Sequence, residues 1–245
     1  MAKLTLDELV TQLRTAFGDD LTSVVLYGSA AGGEHNPKRS DQNVLVIVRR
    51  VPMNAAKSIS ASARAWADAG NPPPLVLTAD EWRGSADIFP MEYADILDRN
   101  RVLFGAPPFE GITVRPDDLR LQLEHEAMGK LLKLRQSVLA IAGDDKRLLE
   151  LLAASASTIM VIFRAVFRLH GAAPERDNTK LVDQVAKLAQ LDPEPFHRAV
   201  RIARGESAVP ASEALATVGG YVGGMERLVS HLDRFSGGAR PKPTA

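Results

Sequence analysis

SVVLYGSAAGGEHNPKRSDQNVLVIV, Ser23 to Val48, is the stretch on which the reading of the chain turns. Val24, Val25 and Leu26 form a β-rich apolar run, and Gly28-Ser29 stops it. Gly32 and Gly33 follow in a polar loop, where glycine supplies backbone freedom. Ser40-Asp41-Gln42-Asn43 then leads directly into Val44 to Val48, a run with the composition of a buried strand. Side chains two apart along a strand point to one face, so Asp41 and Asn43 share a face at the mouth of the second strand.

Outward from this core, Leu4, Leu6, Leu9, Val10, Leu13 and Phe17 keep a helical period, with Thr5 as N-cap and Gly18 as stop. Asn54 to Ala69 reads as a helix ended by Gly70-Asn71 and three prolines. Leu75 to Thr78 reads as a short strand, and Thr78 also caps a short helix through Glu81 at capping-box spacing. Ile88 to Tyr93 reads as an edge strand, where Pro90 is tolerated, and Arg101 to Gly105 as a further strand. From Arg115 the period changes to 3.6. Asp117 or Asp118 is expected to cap a helix carrying Leu119, Leu123, Ala127, Leu131, Leu134, Val138 and Ile141. Further helices are expected over Lys146–Leu169, Asn178–Gln190, from Pro193-Glu194-Pro195 to Arg204, and from a Ser212 cap to Phe235. The fold class is therefore α+β: a mixed sheet with flanking helices over residues 1–113, a helical bundle over 114–236, and a disordered tail over 237–245.

The 245 residues carry 30 Lys and Arg against 30 Asp and Glu, a formal net charge of zero. Nothing here forms the broad basic patch that duplex nucleic acid requires. There are no cysteines, which excludes disulfides and cysteine-ligated zinc and fits a reducing compartment. Charges interrupt the N-terminal MAKLTLDELVTQLR where a signal peptide needs an apolar core. Leu148 to Leu169 is the most apolar segment, but Glu150 and Arg164 mark it as a bundle helix rather than a membrane span. A cytoplasmic protein with neither membrane nor nucleic acid as partner is expected.

The Gly28-Ser29 turn, the loop through Gly33-Glu34, Ser40-Asp41 and the strand Val44 to Val48 resemble the nucleotidyltransferase superfamily, which includes DNA polymerase beta and the kanamycin nucleotidyltransferases. Two positions depart from the family's pattern: Asn43 stands where a second carboxylate is usual, and Gly32 where many members have Arg. The resemblance implies a nucleotidyltransferase-like sheet domain. It implies phosphate binding at Gly28 and Ser29 and metal binding at Asp41 and Asn43, with a nucleoside triphosphate and Mg²⁺ as ligands. Lys38 and Arg39 form a plausible phosphate-contacting pair in the loop. The family usually adds a third carboxylate. Leu75 to Leu77 holds none, so Glu92 is the first candidate, followed by Asp87 and Asp95. The catalytic set is then Asp41, Asn43 and Glu92.

Each of these residues also has an ordinary reading. Gly-Ser is a common tight turn, Asp41 can cap a loop, Asn43 can serve a turn, and Glu92 can be a solvated edge residue. Glu34, His35, Glu124, His125 and Glu126 read best as solvated charges, and Arg164 with Arg168 as one face of a helix. Two functions remain open. One is transfer of a nucleotidyl group from NTP-Mg²⁺ to a hydroxyl on a small molecule or protein. The other is a catalytically silent relative that senses nucleotide or docks a protein, as an antitoxin-like module would. Asn43 is a neutral ligand, so weak Mg²⁺ binding is expected in either case.

Overall fold

The computed structural model describes residues 4–31, 42–206 and 209–235, and the chain divides into two compact units, Met1–Val114 and Arg115–Ala245. In the first unit, α1 (Leu6–Phe17) leads to β1 (Leu21–Tyr27) and a 3-10 turn over Gly28–Ala30. Then come β2 (Asn43–Val48), α2 (Met53–Asp68), β3 (Leu75–Thr78), α3 (Ala79–Gly84), α4 (Pro90–Asp98) and β4 (Asn100–Gly105). The strands form one mixed sheet in the order β3-β2-β1-β4. β1 is antiparallel to both β2 and β4, and β2 is parallel to β3.

Strand alternation sorts this unit into two cores. Val24, Leu26, Val44, Val46 and Val48 pack with Leu9, Leu13 and Phe17 of α1 and Trp66 of α2. Val25, Leu45 and Ile47 point the other way, against Trp82 of α3 and Tyr93 and Ile96 of α4. Both faces of β1 and β2 are buried, which is why these strands are continuous apolar runs. The capping boxes at Thr5 with Glu8 and at Thr78 with Glu81 are both formed. One sequence expectation is overturned here. Ile88 to Tyr93 is not an edge strand, because Pro90 opens α4 at its first turn, where its missing N–H costs nothing. Gly105 ends β4 at φ +76°, and a Cβ there would collide with the carbonyl oxygen of Thr22.

The second unit is helical: α5 (Pro116–Ile141), α6 (Asp145–Leu169), α7 (Asn178–Ala189), α8 (Glu194–Arg204) and α9 (Ala214–Arg234), with a 3-10 turn over Ala211–Glu213. α6 packs on α5, α7, α8 and α9. By length and composition α6 is apolar enough to cross a membrane, and its Leu148, Leu152, Ile159, Phe163 and Val166 are buried in the bundle. Two caps differ from expectation. Arg115 precedes α5 with Pro116 in its first turn, so Asp117 and Asp118 lie inside the helix, and Ser212 lies in the 3-10 turn before α9. Phe167 is only half-buried, whereas Phe163 is fully buried in an aromatic row. Phe163 meets Phe196 at 5.1 Å between ring centroids, and Phe196 meets Tyr221 at 4.6 Å. Gly224 makes that row possible, since a Cβ there would collide with the Phe196 ring. Phe163→Ala is expected to cost about 3–5 kcal/mol in a denaturant titration; a loss under about 1 kcal/mol would contradict this packing.

Candidate functional site

The site is built at the end of the sheet where β1 stops and β2 starts. Tyr27 and Asn43 face each other across the β1–β2 ladder. Asn43 falls on the alternation of Leu45 and Ile47, and so on the face covered by α3 and α4. The chain then turns at Gly28, whose φ of +76° suits glycine. A Cβ placed on Gly28 would lie 3.4 Å from Nδ2 of Asn43 and 3.5 Å from Oδ2 of Asp95. The turn, the amide of β2 and a carboxylate of α4 therefore meet at one point.

Helix α4 is fixed at both ends, which fixes Asp95. Near its start Tyr93 stacks on Trp82 at 4.1 Å, and its hydroxyl donates to the Trp82 carbonyl at 2.7 Å. The Trp82 indole N–H donates in turn to the Pro108 carbonyl. At the other end the Asn100 amide donates to the carbonyls of Ile96 at 2.9 Å and Leu97 at 3.2 Å. The Gly28 N–H donates to the Arg99 carbonyl at 3.0 Å, so the turn is tied to the end of α4 through its own backbone. That N–H is therefore engaged within the protein.

The electrostatics agree with the geometry. Burial pushes the Tyr27 phenol above its usual pKa, and the negative charges of Asp95 and then Glu92 push it further. Both carboxylates thus act on the same phenol, as residues three apart on a helix can. Asp87 acts elsewhere. Burial pushes the Tyr93 hydroxyl up to about 12, with a smaller contribution from Asp87. Of the three α4-region carboxylates, Asp95 lies beside Gly28 and Asn43, Glu92 is exposed on the same helix, and Asp87 serves a different tyrosine.

Asp41, Lys38, Arg39, Glu34 and His35 lie outside the described residues, and of Ser29 only the backbone is described. Gln42, the first described residue before β2, is held by its N–H donating to Oδ1 of Asn71 at 2.9 Å. Among the described residues no three His, Cys, Asp or Glu side chains converge to hold a metal ion. At the turn itself the described side chains that meet are one carboxylate, Asp95, and the amide of Asn43, whose Nδ2 faces Gly28. Sequence reasoning did not single out Tyr27 and ranked Asp95 behind Glu92. The signal for Asp95 was Pro90, which read as a helix start places residues 92 and 95 on one side. In the bundle, Glu124 pairs with Arg120 at 2.6 Å, His125 is exposed, and Arg164 donates to Asn178 at 2.7 Å. None of them converges on a second site.

No protein-family model matches the chain, and no curated protein matches it. Among solved structures it is similar to spectinomycin adenyltransferase AAD(9) from Enterococcus faecialis, determined with ATP and spectinomycin. The TM-score is 0.59, with 94% of this chain and 98% of that chain covered, at 11% sequence identity. At that identity the likeness speaks for architecture alone, and it agrees with the mixed sheet, flanking helices and helical C-terminal unit: this chain has a nucleotidyltransferase-like α+β fold.

Proposed function

We propose that this protein binds a nucleoside triphosphate with a divalent cation at the Gly28 turn and transfers its nucleotidyl group to a hydroxyl. The observation that carries this reading is the meeting of Asn43 and Asp95 over Gly28. Asp95 of α4 brings a carboxylate beside the neutral Asn43, and the charge of Glu92 is felt at the same Tyr27 phenol. Asp41, Asn43 and Asp95 would hold Mg²⁺, which when bound offsets the charge of the triphosphate. In the transfer the acceptor oxygen bonds to the α-phosphorus as the bond to pyrophosphate breaks. The acceptor's proton passes to a carboxylate of α4, Asp95 or Glu92, as general base. A hydroxylated small molecule of the spectinomycin kind is the first acceptor to assay, and the absence of cysteine supports a cytoplasmic setting.

The silent reading has its own observation. Asn43 is neutral, and the described residues alone hold no three-ligand cluster. Calorimetry of ATP binding with and without Mg²⁺ separates the readings when joined to an assay for pyrophosphate release. Wild type is expected to bind Mg²⁺ alone only in the millimolar range, roughly −4 kcal/mol. Asn43→Asp is expected to tighten cation-dependent ATP binding about tenfold, roughly 1.4 kcal/mol. Asp41→Ala should abolish it. Binding without pyrophosphate release from any acceptor would favour a nucleotide sensor. No change in either variant would remove the metal from the site.

A further inference from the structure

Helix α5 is apolar on two sides. Leu119, Leu123, Ala127, Leu131 and Leu134 are buried in the bundle. A second row stays in solvent: Leu121 is 65% exposed, Met128 41%, Leu132 48% and Leu139 85%. These four are spaced by seven, four and seven residues. The whole span is eighteen residues, five turns of 3.6, so the row runs straight along one side of the helix. An exposed apolar row of this length marks an interaction surface.

We infer that a second copy of this chain covers the row, with the two α5 helices antiparallel. The row is palindromic. Leu121 and Leu139 lie nine residues either side of Lys130, and Met128 and Leu132 lie two either side. A two-fold axis at Lys130 therefore sets Leu121 against the partner copy's equivalent of Leu139, and Met128 against its equivalent of Leu132. Such an isologous contact closes on itself. The charges have the same symmetry of position with opposite sign. Flanking the row on one side, Glu124 lies six residues before the centre and Arg135 five residues after it, so each meets the other's counterpart. Within the chain Glu124 already pairs with Arg120 at 2.6 Å, and Arg135 with Glu226 at 2.7 Å. Pairing joins them into an alternating series of four charges on each side of the axis.

Helix α9 supplies an independent reason. Glycine inside a helix is destabilising relative to alanine and calls for a reason. Gly220 and Gly224 are explained by Pro195 and Phe196, which occupy the space of a Cβ, but Gly219 and Gly223 meet nothing within 4 Å. Those two line an apolar groove of about 400 Å³ beside Leu139, together with Leu215 and Val222. In the antiparallel pair, the N-terminal half of the other α5, with its Leu121, comes to this groove. The small residues let that helix approach closely.

The chain has no cysteine, so introduced thiols are unique reporters. Leu121→Cys and Leu139→Cys are made separately in the full-length protein, both at exposed positions. Mixed and oxidised, they are expected to give a disulfide-linked dimer. Either variant alone should not, because its two thiols would stand about 27 Å apart along the paired helices. Light scattering of the unmodified chain should show twice the chain mass at high concentration. Leu132→Lys, which opposes Met128 near the axis, should return it to single mass. A wild-type mass that stays single at every concentration overturns the proposal. Cross-linking within each variant alone, and not in the mixture, overturns the antiparallel pairing.

Discussion

Gly105→Ala is expected to destabilise the N-terminal unit by about 2–5 kcal/mol, the sum of left-handed strain and a steric clash. Gly105 sits at φ +76°, where a side chain is strained whatever space surrounds it. The space is also taken. An added Cβ would collide with the Thr22 carbonyl oxygen and lie 3.2 Å from Cα of Ser23. Both belong to β1, which is hydrogen-bonded to β2 on one side and β4 on the other, so neither can retreat without breaking a ladder. A urea titration measures the loss. Gly84→Ala is the matched control, since its Cβ would meet nothing and its φ is ordinary, and it should change stability by less than about 0.5 kcal/mol. A Gly105→Ala loss that small would mean that β4 does not pair with β1 in this register.

Asp95→Asn is expected to lower nucleotidyl transfer by at least about 100-fold, the usual scale for a lost general base. The substitution keeps the size of the side chain and removes its charge, and the packing of Tyr93 and Ile96 of α4 with Trp82 of α3 is untouched. A second readout tests the geometry without any turnover. The Asp95 charge is the larger of the two that raise the Tyr27 phenol, so Asp95→Asn should bring that phenol down toward its ordinary value. The sign follows from charge: a neighbouring anion opposes the phenolate, and its removal favours it. Glu92→Gln should do the same to a smaller extent. If Asp95→Asn leaves the Tyr27 titration where it was, Asp95 does not face the turn. If the titration moves and turnover does not, the carboxylate lines the site without taking part in the reaction.

The sheet was legible because its two central strands are buried on both sides. Such strands have to be continuous apolar runs, and Val24 to Leu26 and Val44 to Val48 could hardly be anything else. The capped helices were legible for a local reason as well, since Thr5 with Glu8 and Thr78 with Glu81 satisfy backbone donors within four residues. Helix α4 was hidden because it has no such signature. Phe89 precedes it with no side-chain cap, and Ile88-Phe89-Pro90-Met91 looks like an edge strand until Tyr93 and Ile96 are seen to pack one turn apart. As a helix, this segment brings Asp95, ranked behind Glu92 from sequence, to Gly28. Asn43 could be placed from the sequence, because its face depends only on the pleat. Which α4 carboxylate it meets depends on where a helix docks, and no local rule reaches that far.

The stack of Trp82 on Tyr93 and the burial of Trp66 have a spectroscopic consequence. The chain's two tryptophans lie in the same unit, on opposite faces of one sheet, and both are almost wholly shielded from water. Indole emission therefore watches the sheet from both sides and is blind to the bundle. Far-ultraviolet dichroism, dominated by the long helices α5, α6 and α9, sees chiefly the other half. The two signals together form a built-in pair of reporters, one for each half. If they melt along one curve the molecule unfolds as a single cooperative system, and if the curves separate its halves unfold on their own terms.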